Sequence, residues 1–379
     1  MDILHVFKDE KVVNSFIALF ESVFPNKSHY LIVKKWDNVR YVKSGANTFF
    51  FDNNSSELLS FLNNSITDYT HVCLHSIGGD KFYQNINHPS ISWVIWGADL
   101  YEGILAFKGY QIYDLHSEQL KIRAQKVPIF IYRFYTWLRD YRRYIFEKRI
   151  LKKIKYIITD NGCDYDVFRK YIPELSIMHL GSINYYPIEN LIGVDNMTKW
   201  CEGNAIWVGN SPAPNGNHVS VLERLVNFNN KIKVYCPISY GDARLIKYID
   251  TKGQELLGNR FHPLKNFIPS EEYYSLFLQA NCFIFGHYRQ CAVGNILMAL
   301  YFGGKVFLYN KNPLLKMYRD LGFFIYSIDE ELSEETALTQ LPIKQRNHNR
   351  NLVMNIASEE ESLKQMVQVF APFVGHLHC

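Results

Sequence analysis

The turn at residues 286–295 combines residue types that could hold an anion. Arg289 and Gln290 lie in this turn, and a short apolar helix begins after it at Gly294 and Asn295. A glycine at a helix start lets backbone amides approach a ligand, and the helix dipole favours negative charge there. Arg289 could add a forked contact to phosphate. We expect this turn to hold a nucleotide diphosphate; the alternative is an ordinary crossover with a surface arginine.

A second turn offers similar chemistry. Gly209, Asn210 and Ser211 follow the apolar run AIWV, and His218 lies at the start of the next helix. Neither turn has P-loop spacing, and the chain contains no intact G-x-G-x-x-G and no G-x-S-x-G. A site of this kind could stabilise a departing nucleotide diphosphate with cations and helix dipoles instead of a metal.

Polar side chains also follow two apolar runs in the N-terminal half. His75 ends the run HVCLH and Asp80 follows it, whereas Asp99 and Glu102 follow the run WVIW. If both runs are strands of a parallel sheet, these residues lie where ligands gather, at the carboxyl ends of strands. For Asp99 the alternative is a helix cap or a carboxylate that accepts hydrogen bonds from loop amides.

Alternating strands and helices must position all of these residues. Short apolar runs alternate with amphipathic segments along both halves, which predicts parallel α/β sheets. A polar stretch at 187–203 looks like a linker. The predicted fold is α/β, with two Rossmann-like domains facing a cleft. We expect an N-terminal domain at 1–190, a second domain at 204–350, and a C-terminal helix at 351–379 that packs back on the first domain.

The segment 127–155 differs from the rest in being both aromatic and basic. Trp137, Tyr141, Tyr144 and Phe146 alternate with many Arg and Lys residues. Such a segment can lie on an anionic membrane surface. The alternative is a solvated helix whose aromatic face packs on its own domain.

Composition indicates a packed globular protein. Hydrophobic residues make up 47% of the 379 residues and charged residues 21%, and the net charge of +4 is mild for a nucleic-acid-binding protein. The chain has seven Cys with no C-x-x-C pair, no signal sequence and no spanning apolar run. We expect a cytoplasmic protein that binds no nucleic acid.

No metal or cofactor is expected from the sequence. Asp164-Tyr165-Asp166 resembles the D-x-D of some metal-dependent sugar-nucleotide enzymes. However, an Asp followed by VFRKYI is typical of a helix start, and three letters carry little specificity.

Several blocks in order along the chain resemble one enzyme family. The block Trp93–Glu102 (WVIWGADLYE) looks like the signature of the bacterial 4-acetamido-fucose (Fuc4NAc) transferases of enterobacterial common antigen synthesis, often named 4-alpha-L-fucosyltransferases. The resemblance continues in shorter blocks, namely Val208–Ser211 with His218, Pro237 with Tyr240, Tyr273, Arg289-Gln290 with Gly294, and Asn310 with Asn312-Pro313. The loop Pro212–Gly216, the turn 159–163 and the C-terminal helix differ from the family pattern.

The resemblance implies a metal-independent glycosyltransferase of GT-B type, peripheral to the cytoplasmic face of the inner membrane. Its donor would be a dTDP-linked deoxyamino sugar, and its acceptor a polyprenyl-diphosphate-linked saccharide. The nucleophilic hydroxyl then needs a proton acceptor, for which Asp99 is the first candidate, followed by Glu102 and His75. The domain at 1–190 would be the acceptor domain and the domain at 204–350 the nucleotide-sugar domain. The donor would contact the residues of the two turns together with Tyr240 and Asn310.

Two other functions remain open on the sequence alone. One is a nucleotide-sugar epimerase of related two-domain build. The other is a non-enzymatic peripheral membrane or RNA-binding protein that uses segment 127–155. The sequence also leaves open whether sugar transfer would invert or retain the anomeric configuration.

Overall fold

The computed structural model describes residues 2–34, 38–123, 128–229 and 231–374, and these residues form two sheets. The strands of the first sheet are β1 (Ile3–Lys8), β2 (Ser28–Lys34), β3 (Thr48–Asp52), β4 (His71–His75), β5 (Ile91–Ile95), β6 (Tyr156–Thr159) and β7 (Met178–Ser182). The strands of the second are β8 (Ala205–Val208), β9 (Val234–Pro237), β10 (Phe261–Leu264), β11 (Ala280–Phe285), β12 (Lys305–Leu308) and β13 (Tyr326–Ser327).

Helices connect most of these strands. In chain order they are α1 (Val13–Val23), α2 (Ser56–Asn64), α3 (Leu115–Arg123), α4 (Ile129–Leu151), α5 (Cys163–Tyr171), α6 (Ile188–Ile192), α7 (His218–Arg224), α8 (Ala243–Leu257), α9 (Ser270–Leu278), α10 (Val293–Tyr301), α11 (Pro313–Asp320), α12 (Glu334–Leu338), α13 (Ile343–Ala357) and α14 (Glu359–Val374). A π-helical segment also spans Asp99–Leu105.

The two sheets share one strand order. The first runs β3-β2-β1-β4-β5-β6-β7 and the second runs β10-β9-β8-β11-β12-β13, with all strand pairs parallel. In each sheet the order reverses beside the first strand, between β1 and β4 or between β8 and β11. Loops that leave the carboxyl ends at such a point diverge and create a crevice. We call these places the first and second switch edges. The predicted α/β fold with two Rossmann-like sheets is confirmed.

The first strand shows how the sequence builds a two-sided core. Leu4 and Val6 point into one hydrophobic cluster, whereas Ile3 and Phe7 point into a second cluster on the other face. This alternation follows from the period of two in a β-strand. Helix α14 contributes Phe370 to the second cluster and packs against α1 and β7.

The chain forms two compact units, each described by itself. The first unit is Met1–Tyr110, Arg133–Pro187 and Glu359–Cys379, and the second is Gln111–Tyr132 and Ile188–Ser358. Within the second unit, the backbone N–H of Asp114 donates to Asn217 Oδ1 at 3.0 Å. The Asp114 carboxylate accepts a hydrogen bond from Ser220. These contacts fix the segment after Tyr110 on helix α7.

Several elements differ from the sequence-based prediction, among them α8, which was not predicted. The stretch 187–203 is not a plain polar linker, because it contains α6, whose Ile188 and Ile192 are buried. Helix α11 was not predicted, although Asn312 caps it by accepting from Leu314 N at 3.0 Å and Pro313 begins it. An Asn cap followed by Pro is a helix-start signal.

The short apolar helix predicted after the turn at residues 286–295 is confirmed as α10. Strands β11 and β12 pair in parallel, and α10 connects them. The predicted C-terminal helix is divided at Ser358 between α13 and α14, and its residues 375–379 lie outside the described residues. Val127, the first residue of the aromatic and basic segment, also lies outside them.

Candidate active site

A cavity of about 510 Å³ opens at the first switch edge. Three loops, which follow β1, β4 and β5, form most of its wall, and α4 adds one side chain. The lining residues are Lys8, Glu10, Ser76, Ile77, Gly78, Gly79, Asp80, Trp96, Ala98, Asp99, Glu102 and Arg143. The structure therefore brings Asp80, Asp99 and Glu102 together on one cavity.

The Asp99 carboxylate accepts four hydrogen bonds. Its Oδ2 accepts from Trp93 Nε1 at 2.7 Å and from Ile77 N at 3.2 Å. Its Oδ1 accepts from the backbone amides of Trp96 and Leu100, both at 3.1 Å. Burial raises the pKa of Asp99, and these four donors act against that shift. The side chain thus ties the loop after β4 to the loop after β5.

Glu102 occupies a different position on the same cavity wall. It is half-buried and lies one turn after Asp99 in the π-helical segment. Its carbonyl oxygen accepts from Arg143 Nη1 at 3.4 Å. A Cβ on the next residue, Gly103, would lie 2.8 Å from the Glu147 carboxylate oxygens. Glycine at this position therefore lets α4 approach the segment that carries Glu102.

Basic side chains on the cavity have carboxylate partners. Lys8 forms an ion pair with Asp80, which also accepts from Asn53 Nδ2 at 2.9 Å. Arg143 Nε donates to Glu147 Oε1 at 2.7 Å. Burial raises the pKa of Glu147, whereas the charge of Arg143 lowers it. The cavity wall thus presents cations whose positions are set by acidic neighbours.

His75 lies in the core and not on this cavity. Its ring stacks on Phe7 with centroids 3.8 Å apart, and its two nitrogens contact His5 Nδ1 at 2.9 Å and the Tyr185 hydroxyl at 2.6 Å. Burial lowers the pKa of His75 well below its usual value. Among the described residues, His5, Cys73 and His75 are the one group of three side chains whose ligand atoms lie close enough together to hold a metal ion. All three side chains are completely buried, so we assign His75 to the core.

The second switch edge contains a tight cluster of Gly209, Gly216 and His218. A Cβ at Gly209 would lie 2.5 Å from His218 Nε2, and one at Gly216 would lie 2.4 Å from His218 Cε1. Gly209 also has φ of 73°, a conformation that favours glycine. Burial lowers the pKa of His218 to about 3, so its imidazole is neutral near pH 7. His218 supports the loop by packing and brings no positive charge to it.

Arg289 and Gln290 are both buried in the loop after β11. Arg289 Nη1 donates to the carbonyl oxygen of Gln290 at 2.6 Å. The guanidinium is therefore held beside the start of α10 and is not a surface arginine. Its positive charge at this edge is compatible with an anion nearby.

Gly294 and Asn295 lie in the first turn of α10 and are half-buried. Asn295 Nδ2 donates to the Tyr273 hydroxyl at 2.9 Å. The residue before the helix, Ala292, has φ of 61°, so the chain turns sharply before α10 begins. The amides of this first turn point toward the carboxyl edge of the second sheet.

The remaining predicted donor residues differ in exposure. Asn210 and Ser211 are half-buried after β8, whereas Tyr240 is 63% exposed in the loop after β9. Asn310 is exposed, and its Nδ2 donates to Glu330 Oε1 at 2.6 Å. The predicted donor residues thus all follow strands of the second sheet, either on the loops after β8, β9, β11 and β12 or in the first turns of α7 and α10.

The sequence-based reasoning missed three residues that line the first cavity. Lys8 and Glu10 flank the end of β1, and Trp96 directly follows β5. All three stand at the carboxyl ends of strands beside the switch edge. The positions of the strands could be predicted from the sequence. The order of the strands in the sheet, which makes their carboxyl ends neighbours, could not. Arg143 was recognised only as part of a basic segment.

Helix α4 divides the predicted aromatic segment into two faces. Tyr144 is buried and Phe146 packs against the core. Neither therefore lies at the surface, where the membrane interpretation had placed both. Phe134, Trp137 and Tyr141 are 61%, 54% and 40% exposed and follow one another at helical spacing. In the described part of the chain, none of the helices combines the length and the apolar character needed to cross a bilayer.

The chain is similar to solved structures over nearly its whole length. Sucrose-phosphate synthase from Thermosynechococcus elongatus aligns with a TM-score of 0.64 at 11% identity, covering 98% of this chain and 99% of that chain. Anabaena HepE in complex with UDP aligns with a TM-score of 0.61 at 10% identity, covering 98% of this chain and 100% of that chain. WaaG, a glycosyltransferase involved in lipopolysaccharide biosynthesis, aligns with a TM-score of 0.55 at 12% identity, covering 99% of this chain and 100% of that chain. These likenesses establish the GT-B fold.

A sequence model of one enzyme family also matches this chain. The model described as 4-alpha-L-fucosyltransferase, glycosyl transferase group 56, matches residues 132–351. This range is more than half of the chain, although it does not include the block Trp93–Glu102 that first suggested the family. The predicted glycosyltransferase activity is confirmed at the level of hexosyl transfer. The chain belongs to the 4-alpha-L-fucosyltransferase family, glycosyl transferase group 56.

Proposed function

We propose that this glycosyltransferase moves a fucose-type deoxyamino sugar, Fuc4NAc, from a dTDP-linked donor to a polyprenyl-diphosphate-linked saccharide. The reaction would take place at the cytoplasmic face of the inner membrane. The observation that carries this proposal is the cavity at the first switch edge, which combines the Glu102 carboxylate with Lys8 and Arg143. Such a combination suits a hydroxyl-rich acceptor that must lose a proton.

Glu102 is the proton acceptor in this proposal. The acceptor oxygen forms a bond to the anomeric carbon, and its proton passes to the Glu102 carboxylate. The bond from the anomeric carbon to the diphosphate oxygen breaks, and its electron pair leaves with the nucleoside diphosphate. Asp99 was the first candidate from the sequence, but its carboxylate already accepts four hydrogen bonds. Asp99 is therefore assigned to positioning the two loops, and His75 to the core.

The donor diphosphate is assigned to the carboxyl edge of the second sheet. Two loops support this assignment, one with Gly209 in a conformation that favours glycine and one with Arg289 beside the start of α10. Together they bring backbone amides, a helix N-terminus and a cation to one edge. Solved HepE structures contain UDP and UDP-glucose, which supports a nucleotide-sugar donor. Asn210, Ser211, Tyr240 and Asn310 are assigned to the nucleotide or its phosphates.

Helix α4 is proposed as the membrane-facing surface. Phe134, Trp137 and Tyr141 form an exposed stripe, and the Trp137 and Tyr141 rings stack at 5.6 Å. Exposed Arg133 and Arg142 lie on the same helix. Amphipathic aromatic rings and arginines are the groups that lie at an anionic lipid surface. This arrangement would bring the enzyme to a lipid-linked acceptor.

The proposal predicts acceptor-dependent release of dTDP. The purified chain is incubated with dTDP-, UDP- and GDP-linked sugars, with and without a polyprenyl-diphosphate-linked disaccharide, and the nucleoside diphosphate and glycolipid are quantified. We expect the fastest release with dTDP-Fuc4NAc, together with a product one sugar longer. Faster turnover of another donor would contradict the donor assignment, and donor isomerisation without any acceptor would indicate an epimerase instead.

A further inference from the structure

Among the residues that the structure describes, Trp96 is the one aromatic residue that lines the cavity at the first switch edge. It follows β5 and is half-buried. Its backbone N–H donates to Asp99 Oδ1 at 3.1 Å, and its indole Nε1 donates to the Tyr185 hydroxyl at 3.1 Å. Both N–H donors of this residue are therefore bonded within the protein. The rest of the indole is apolar ring surface.

A buried chain of polar groups holds the indole in place. The Tyr185 hydroxyl that accepts from Trp96 also contacts His75 Nδ1 at 2.6 Å, and His75 Nε2 contacts His5 Nδ1 at 2.9 Å. The hydroxyl is held in either tautomer of His75, since it can donate to that nitrogen or accept from it. Tyr185 and both histidines are buried. The ring of Trp96 is thus fixed at its edge by groups that solvent does not reach.

The charges of the cavity indicate what could lie against this ring. Among the lining residues within the described part of the chain, two are basic, Lys8 and Arg143, whereas four are acidic, Glu10, Asp80, Asp99 and Glu102. An excess of carboxylates disfavours a diphosphate or another polyanion in this cavity. Carboxylates and cations together are suited to the hydroxyl groups of a neutral saccharide. A flat aromatic face beside them suits the apolar C–H face of a sugar ring.

We propose that Trp96 is the platform on which a neutral sugar ring of the acceptor stacks, with Tyr185 as its positioning residue. This inference rests on the proposed function, because it takes the cavity as the acceptor site. It assigns acceptor recognition to the face of the Trp96 ring and not to a hydrogen bond from its N–H. Substitutions of Trp96 and Tyr185 should therefore alter acceptor binding and leave donor binding unchanged.

The proposal is tested by the binding of methyl glycosides of glucose, galactose and N-acetylglucosamine to the full chain, measured by saturation-transfer NMR. At least one glycoside should bind saturably to the wild type. Trp96→Ala should raise the Kd for that glycoside at least about tenfold. Trp96→Phe, which keeps an aromatic face, should retain part of the affinity. Tyr185→Phe, which removes only the hydroxyl, should give an intermediate loss. The control Phe267→Ala removes an aromatic side chain that is 86% exposed in the second unit, and should bind as the wild type does.

Two results would overturn the proposal. One is the lack of saturable binding of any glycoside to the wild type, and the other is equal affinity in the wild type, Trp96→Ala and Trp96→Phe. If Trp96→Ala does not fold, Trp96→Phe and Tyr185→Phe still decide the matter. The measurement needs no donor, so it is separable from the proposed function. Glycoside binding through Trp96 without nucleotide-sugar turnover would support the platform and contradict the transferase assignment to Fuc4NAc.

Discussion

At the scale of single residues, the carboxylates after β5 have separate tasks. Asp99 accepts hydrogen bonds from Trp93, Trp96, Ile77 and Leu100, and it is almost fully buried. Glu102 is half-buried on the same cavity. Spacing alone could bring both to the strand end, but it could not distinguish them. Three of the four donors to Asp99 lie within six residues of it, and the fourth, Ile77 N, comes from the loop after β4, more than twenty residues earlier in the chain.

Asp99→Asn should destabilise the first unit by about 1–3 kcal/mol. The new amide nitrogen would face two N–H donors, so buried donors lose their acceptor. Urea unfolding followed by circular dichroism measures the change, and Asp68→Asn, at an exposed position, serves as the control. A free energy of unfolding equal to that of the wild type would show that the four hydrogen bonds do not contribute as the structure indicates.

At the scale of elements, most strands could be read from short apolar runs, and the errors arose where burial is decided by distant partners. Ile188 and Ile192 of α6 were missed inside a polar stretch. Tyr144 was expected at a membrane surface but stacks on Phe107, with ring centroids 4.9 Å apart. One helix can carry a buried and an exposed aromatic face, and composition does not separate them.

The exposed stripe of α4 should bind anionic bilayers. The chain is mixed with phosphatidylglycerol vesicles and with phosphatidylcholine vesicles, and bound protein is measured by co-sedimentation. We expect preferential binding to phosphatidylglycerol that weakens as salt increases, because Arg133 and Arg142 contribute electrostatically. Trp137→Ala should reduce binding several-fold, since it removes an interfacial aromatic ring. Phe267→Ala is the matched control, and equal binding by both variants would exclude the stripe as the membrane surface.

At the scale of the whole molecule, two sheets of the same strand order explain where the candidate residues lie. Alternation of strands and helices is visible in the sequence, so the fold class was predictable. The order of strands is set by long-range pairing, as between β1 and β4, and is not encoded in any local pattern. Lys8, Glu10 and Trp96 were missed for that reason, although each lies at or just after the end of a strand that was identified.

The central claim is that the first switch edge holds the catalytic base. The most direct test compares acceptor-dependent transfer by the wild type and by Glu102→Gln, with donor affinity measured on the same preparations and Glu271→Gln, an exposed substitution on α9, as control. Loss of a positioned base should lower kcat by about 100-fold or more while the Kd for the donor stays unchanged. Transfer by Glu102→Gln at the wild-type rate would contradict the account.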